Sequence, residues 1–256
     1  MRTETSFLPL NSGAQPKVKW RFLSFSFLFL SAFAVGIVNF ADAQSVGDYR
    51  TNAASLNWSA ASNWQRWNGT SWISNPAQGY PGQNTGTGTV TVLDGHSVTL
   101  NISPAQNIGS LIIGGGTSGS LTVGNNNTDR TLSVTGNVTV SNNAALTSAG
   151  NGGNELDIAG NLINNGTFDL RIGAATTDVT FNGSSNQTVS GTGSTTDFND
   201  ITINNTGGGS SNIVEFLPSN FAAANGFLIL TKGIIKMSGT YTFSNTFFST
   251  AGPTIN

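Results

Sequence analysis

The chain has 256 residues, no cysteine, one histidine and a formal charge of −2. Four of its ten basic residues lie in the first 21 positions and the other six are spread over the rest, where no basic patch exists to neutralise phosphates, which excludes a nucleic-acid-binding class. Without cysteine there is no disulfide framework, and a lone histidine completes no zinc ligand set.

Residues 1–43 read as a secretory signal. Lys17, Lys19 and Arg21 precede an apolar run from Phe22 to Phe40. Ala41-Asp42-Ala43 then places small residues where a signal peptidase reads them, which predicts cleavage before Gln44. The alternative is an uncleaved membrane anchor, because the run approaches the ~20 residues that span a bilayer. The remainder, Gln44 to Asn256, carries six basic and ten acidic residues, a charge of −4. Gly95 to Thr128 holds no charged residue, so its surface must be Asn, Ser, Thr and Gly. Recurring, alternating Val, Ile, Leu and Phe exclude a disordered linker.

Residues 44–88 form a distinct segment with Trp58, Trp64, Trp67 and Trp72 in fifteen positions. Such rings serve either of two purposes. Beside Asn63, Asn68 and Asn75 they can stack on sugars; alternatively they plug the open end of a repeat fold as an aromatic N-terminal cap.

Strands begin at residue 89. Val90-Thr91-Val92 and Val98-Thr99-Leu100 flank Asp94-Gly95, a hairpin or tight-turn signal. Apolar triplets follow at Leu111, Leu132, Leu156, Val179 and Ile201, separated by 21, 24, 23 and 22 residues. Leu132-Ser-Val-Thr-Gly136-Asn137-Val138 aligns with Leu156-Asp-Ile-Ala-Gly160-Asn161-Leu162. Glycine at these corners is expected to supply positive backbone angles, which asparagine tolerates next best. A fixed period in the twenties marks a solenoid, whose coils bury their apolar faces only on one another. Residues 89–256 therefore predict an all-β fold, a right-handed parallel β-helix of roughly seven coils and ~35 Å. A β-sandwich is the competing architecture. The sequence stops at Asn256 while still solenoid-like. That end reads as a truncated N-terminal piece of a longer polypeptide, or as an open coil that self-associates.

Asp157, Asp169, Asp178, Asp197 and Asp200 fall in successive coils, and a carboxylate pair could serve as acid and base on a polysaccharide. Their spacing fixes no pair, and no catalytic residue is assigned. Gly152-Gly153-Asn154-Glu155-Leu156-Asp157 faintly echoes a calcium-binding nonapeptide, but a single copy reads first as a plain corner. No metal ligand is assigned. His96 beside Asp94-Gly95 reads as a turn residue. Thr-x-Thr pairs do not recur in register along the sequence, so a regular ice-binding hydroxyl face is not expected.

Several stretches carry a resemblance: Trp58–Trp72 with Asn68-Gly69-Thr70-Ser71-Trp72, Val90–Leu100, Phe198–Gly207 and Leu228–Ile235. Together they resemble the N-terminal region of large secreted β-strand-repeat surface proteins exported by the type IX system. Gly95-His96-x-Val98 is also similar to glycine-rich G8-type strands. The resemblance implies a secreted or cell-surface, adhesin-like structural role on a β-helical body. The family's C-terminal sorting domain has no counterpart in this sequence. Surface glycans or matrix proteins would be the partners, with no membrane contact after signal cleavage. The tryptophans are then candidates for glycan stacking. The alternative function is a carbohydrate-active β-helix using the aspartates.

Overall fold

The computed structural model describes residues 44–217, 226–238, 247–249 and 254–255. The signal segment and Ser219–Asn225, read from sequence as a helical turn or bulging loop, lie outside these. No α-helix occurs among the described residues, and none is long and apolar enough to cross a membrane.

The chain winds through three parallel sheets as a β-solenoid of about six turns. The first sheet stacks Tyr49–Thr51, Val90–Val92, Leu111–Ile113, Val138–Val140, Leu162–Asn164, Gln187–Ser190 and Ile213–Phe216. The second stacks Ser55–Asn57, Ser97–Leu100, Ser120–Val123, Ala145–Ser148, Thr167–Asp169 and Thr195–Asp197. The third stacks Thr131–Val134, Gly153–Ile158, Ala175–Phe181, Ile201–Asn204 and Leu228–Lys232. Parallel, in-register stacking between successive coils excludes the sandwich. Asp94-Gly95 accordingly joins two different sheets as a corner, not a hairpin, with φ +76° at Gly95.

Alternation along each strand sends one residue in two inward. Val98, Leu121, Leu146 and Phe168 form one such column, and Leu132, Leu156, Val179 and Ile201 another; all are at most 1% exposed. Burying each contributes about 1.5–3 kcal/mol. Leu111 does not belong with the second column. It pairs with Val90 and Val138 on the first sheet, so the 21-residue step from Leu111 to Leu132 joins two sheets. Repeat length on the first sheet is uneven, 21 residues from Val90 to Leu111 and 27 from Leu111 to Val138.

The glycines at the Gly-Asn corners have a different cause from the one the sequence suggests. Gly136 and Gly160 are not in the positive-φ region. Instead the coils touch there: a Cβ on Gly160 would lie 2.4 Å from the Gly136 carbonyl, and one on Gly136 would lie 2.9 Å from Gly109 O. The neighbouring asparagine side chains tie one coil to the next. Asn161 N–H donates to Asn137 Oδ1 (2.8 Å), Thr188 N–H to Asn161 Oδ1 (2.8 Å) and Ile213 N–H to Asn186 Oδ1 (3.0 Å). Asn143, in the next turn, does adopt the left-handed conformation at φ +58°.

Hydroxyls do align in register, on the outer face of the second sheet. Thr99, Thr122 and Thr147 form one row, with Ser97 and Ser120 beside it. Ser120 Oγ donates to Ser97 Oγ at 2.9 Å, and the Thr122 and Thr147 hydroxyls lie 3.2 Å apart. Ala145 and Asp169 interrupt these rows, so the hydroxyl array is short.

Later coils carry polar side chains inside. Gln187 is 1% exposed, donates to the carbonyls of Ile158 (2.9 Å) and Gly160 (2.6 Å), and accepts from Gly183 N–H (3.0 Å). Asn164 donates to Thr196 Oγ1 at 2.7 Å. These partners offset the cost of burial. A phenylalanine cluster fills the space beside them, with Phe168–Phe198 at 4.9 Å and Phe181–Phe216 at 6.0 Å.

Candidate functional site

Strand parity sets Trp64 apart from Trp67 and Trp72, while Trp58 is buried in the turn after Ser55–Asn57. Trp64–Trp67 pairs antiparallel with Tyr49–Thr51 and with Trp72–Ser74, extending the first sheet beyond its parallel part. Trp64 faces Thr51 in register, on the inward side, while Gln65 faces Arg50 on the outward side. Trp67 shares the outward parity of Gln65 and pairs with Trp72. Trp58 and Trp64 are 0% exposed, packed edge-on with centroids 4.9 Å apart. Their ring N–H groups donate to Pro81 O and Trp58 O, each at 2.9 Å. Stacking on a sugar needs an accessible ring face, and neither has one. Trp67 and Trp72 remain half-exposed, with centroids 5.5 Å apart.

A groove of about 470 Å³ opens beside Trp72 on this outward face. Asp48, Arg50, Thr89, Thr91 and Ile112 line it with Trp72. Arg50 lies over the Trp72 ring, 4.4 Å from its centroid, and its Nε donates to Gln65 Oε1 at 2.7 Å. Burial lowers the guanidinium's pKa from its ordinary value. Asp48 accepts Thr89 N–H on Oδ1 (2.8 Å) and Ser45 N–H on Oδ2 (2.7 Å), which pins the groove wall to the next coil. A second hollow, about 290 Å³, lies at the Asn142, Asn143 and Asn165 corner.

The five aspartates do not form one set. Asp157 and Asp178 lie on the outer face of the third sheet, Asp169 and Asp197 pair in register on the second, and Asp200 sits at a corner. Asp178 accepts from Asn199 Nδ2 (2.6 Å) and Asp200 N–H (3.2 Å), and Asp200 accepts from Phe227 N–H (2.7 Å). Asp94 and Asp129 act likewise on Gly115 and Gly153 N–H, at 2.6 and 2.7 Å. These carboxylates tie coil to coil, as the asparagines do. Glu155, outside the sequence-derived set, pairs in register with Asp178 and shares a face with Asp157. Burial, then the Asp157 and Asp178 charges, push the Glu155 pKa up. Burial also raises Asp178. Asp197 is raised by burial and then by Asp169, with Arg171 opposing.

Among the described residues no group of three His, Asp or Glu side chains is arranged to hold a metal ion. Within the calcium-like stretch, Gly153–Ile158 is a regular strand of the third sheet. His96 Nδ1 lies 2.6 Å from Thr51 Oγ1 at the corner after Asp94-Gly95.

Sequence reasoning passed over Arg50, Asp48, Thr89 and Thr91. Period-two alternation from Tyr49 would have placed Asp48 and Arg50 on one outward face. Their meeting with Thr91 depends on coil register, which residues 44–92 alone do not reveal. No known family, curated protein or solved structure matches the chain.

Proposed function

We propose that this chain is a non-enzymatic β-solenoid module of a secreted or cell-surface protein, serving structural and adhesive roles. The observation that carries the proposal is the outward tryptophan face of the first sheet, where Trp67, Trp72 and the groove beside Arg50 join a stiff stack of coils. Partly exposed aromatic rings beside hydroxyls and a charged side chain suit the flat faces and hydroxyl rims of sugars. Trp58 and Trp64 serve as the cap over the first coil's apolar interior. The outer face of the second sheet adds uncharged Ser97, Thr99, Ser120 and Thr122, which suits contact with neutral matrix surfaces. Surface glycans are the first partner; matrix proteins, or a longer polypeptide continuing the coils, are the others. Right-handed winding fits the strong bias of parallel crossovers.

The test is a polysaccharide panel on the purified chain, with sugar release assayed in the same wells. Binding without release, lost in Trp72→Ala, supports the proposal. Release of product sinks it. One observation favours a second reading, a carbohydrate-active protein. Glu155, with its raised pKa, lies in register with Asp178 and on one face with Asp157, which puts several carboxyls on one patch of the third sheet. Product release abolished by Glu155→Gln would establish that reading instead.

A further inference from the structure

Arg50 has a place in a groove but no counter-ion. Among the described residues the ion pair is Lys236–Glu215, and Arg50 forms none. Asp48, two residues earlier on the same face, would be the natural partner. Its carboxylate is turned instead to the backbone of Ser45 and Thr89. The guanidinium keeps a fixed pose, held from one side by the Trp72 ring and from another by Gln65. Its hydrogen bond to Gln65 uses Nε, which leaves its terminal nitrogens for a ligand. Arginine stays charged at any ordinary pH, so a guanidinium held in place with no carboxylate on it is a ready donor pair for an oxyanion. A ligand that brings an oxyanion meets a charge already oriented to receive it. The rest of the groove specifies more than an anion: an aromatic surface at Trp72 and hydroxyls at Thr89 and Thr91. Its volume is in the range that holds a sugar residue or two.

We propose that this groove binds an acidic sugar of a polysaccharide, a uronate whose carboxylate sits on the Arg50 fork while its ring lies against Trp72. The proposal rests on the glycan-binding reading above and narrows its ligand class. A planar carboxylate matches the two parallel N–H donors of a guanidinium fork. The Thr89 and Thr91 hydroxyls then meet the ring hydroxyls. A sulfated sugar would present related oxyanion chemistry, and an acidic peptide would present the carboxylate without the ring, so both belong in the test.

The experiment is affinity electrophoresis of the full chain through gels containing one polymer each. The polymers are polygalacturonate, its methyl ester, dextran, dextran sulfate and polyglutamate. Polygalacturonate should retard the chain, more weakly as salt rises, and its methyl ester and dextran should not. Arg50→Gln should weaken retention about tenfold or more, with Arg50→Lys keeping part of it. Urea unfolding of each variant confirms that the fold is intact. Equal retention by the methyl ester, or no effect of Arg50→Gln in a folded variant, overturns the acidic-sugar assignment and leaves glycan binding standing. Retention by dextran sulfate alone overturns the carboxylate, and equal retention by polyglutamate overturns the sugar. No retention by any polysaccharide overturns this proposal and the glycan reading together.

Discussion

The backbone N–H of Asn161 donates to the side-chain oxygen of Asn137 one coil earlier, at 2.8 Å. Thr188 N–H in turn donates to Asn161 Oδ1 at 2.8 Å, so one corner of the solenoid carries a ladder of side-chain acceptors. Each rung satisfies a backbone donor where the sheet ladder is interrupted. Asn137→Ala should lower stability by about 0.5–1.5 kcal/mol, the net worth of one such bond. Asn137→Asp keeps the acceptor and should lose far less. Urea midpoints of the two variants against the parent check this; equal losses would show that the acceptor oxygen is not what matters.

Close approach, not φ, selects glycine at position 160. A Cβ there meets the Gly136 carbonyl at 2.4 Å and Asn137 Oδ1 at 2.7 Å. Gly160→Ala should therefore cost about 1–3 kcal/mol by overpacking, because stacked coils cannot separate at one corner alone. Gly208, exposed and with nothing within 4 Å of its Cβ position, is the control. Gly208→Ala should be neutral, or stabilise by up to about 1 kcal/mol through the unfolded chain. Thermal unfolding of both variants gives the comparison.

How much of this was legible follows from the range of each interaction. The solenoid was, because its apolar columns recur at near-constant spacing and each strand reads its own alternation. The placing of Leu111 was not: the three sides of a coil differ in length, and a 21-residue step to Leu132 looks like one full turn when it crosses between sheets. Gly136 and Gly160 were visible as corners, but the reason for them lies on the neighbouring coil. The same holds for Glu155, whose like-charged neighbour Asp178 is 23 residues away and meets it only through register. At the site, the tryptophan cluster was visible as composition. Sorting it into an inward and an outward pair needs the antiparallel register of Trp64–Trp67 on Tyr49–Thr51.

That sorting separates stability from surface chemistry. Trp64→Ala removes a fully buried ring, its edge-on contact with Trp58 and a hydrogen bond to Trp58 O, and should cost about 3–5 kcal/mol. Trp72→Ala removes a half-exposed ring and its contact with Arg50, and should cost about 1 kcal/mol or less. Urea unfolding of the two single variants decides the matter. Comparable losses would mean that Trp72 supports the fold as Trp64 does.

The carboxylates give the fold an opposed pH response. Glu155 and Asp178 have raised pKa values, from burial first and then, for Glu155, from Asp157. A raised carboxyl favours its protonated form in the fold. Its contribution is complete below the ordinary carboxylate pKa and is lost as pH rises through the folded value. Glu155→Gln should therefore raise stability at pH 7 by about 0.5 kcal/mol, the scale of screened surface charges, with the gain shrinking towards pH ~4. Asp94 runs the other way. Backbone N–H bonds, that of Gly115 first, hold its carboxyl below the usual range. Its contribution is present above the ordinary pKa and is lost as pH falls through the depressed one. Asp94→Ala should then destabilise at pH 7 and matter less in strong acid. Unfolding midpoints of both variants from pH 2 to 8 test the pair, and a Glu155→Gln gain that persists unchanged in acid would overturn the electrostatic account.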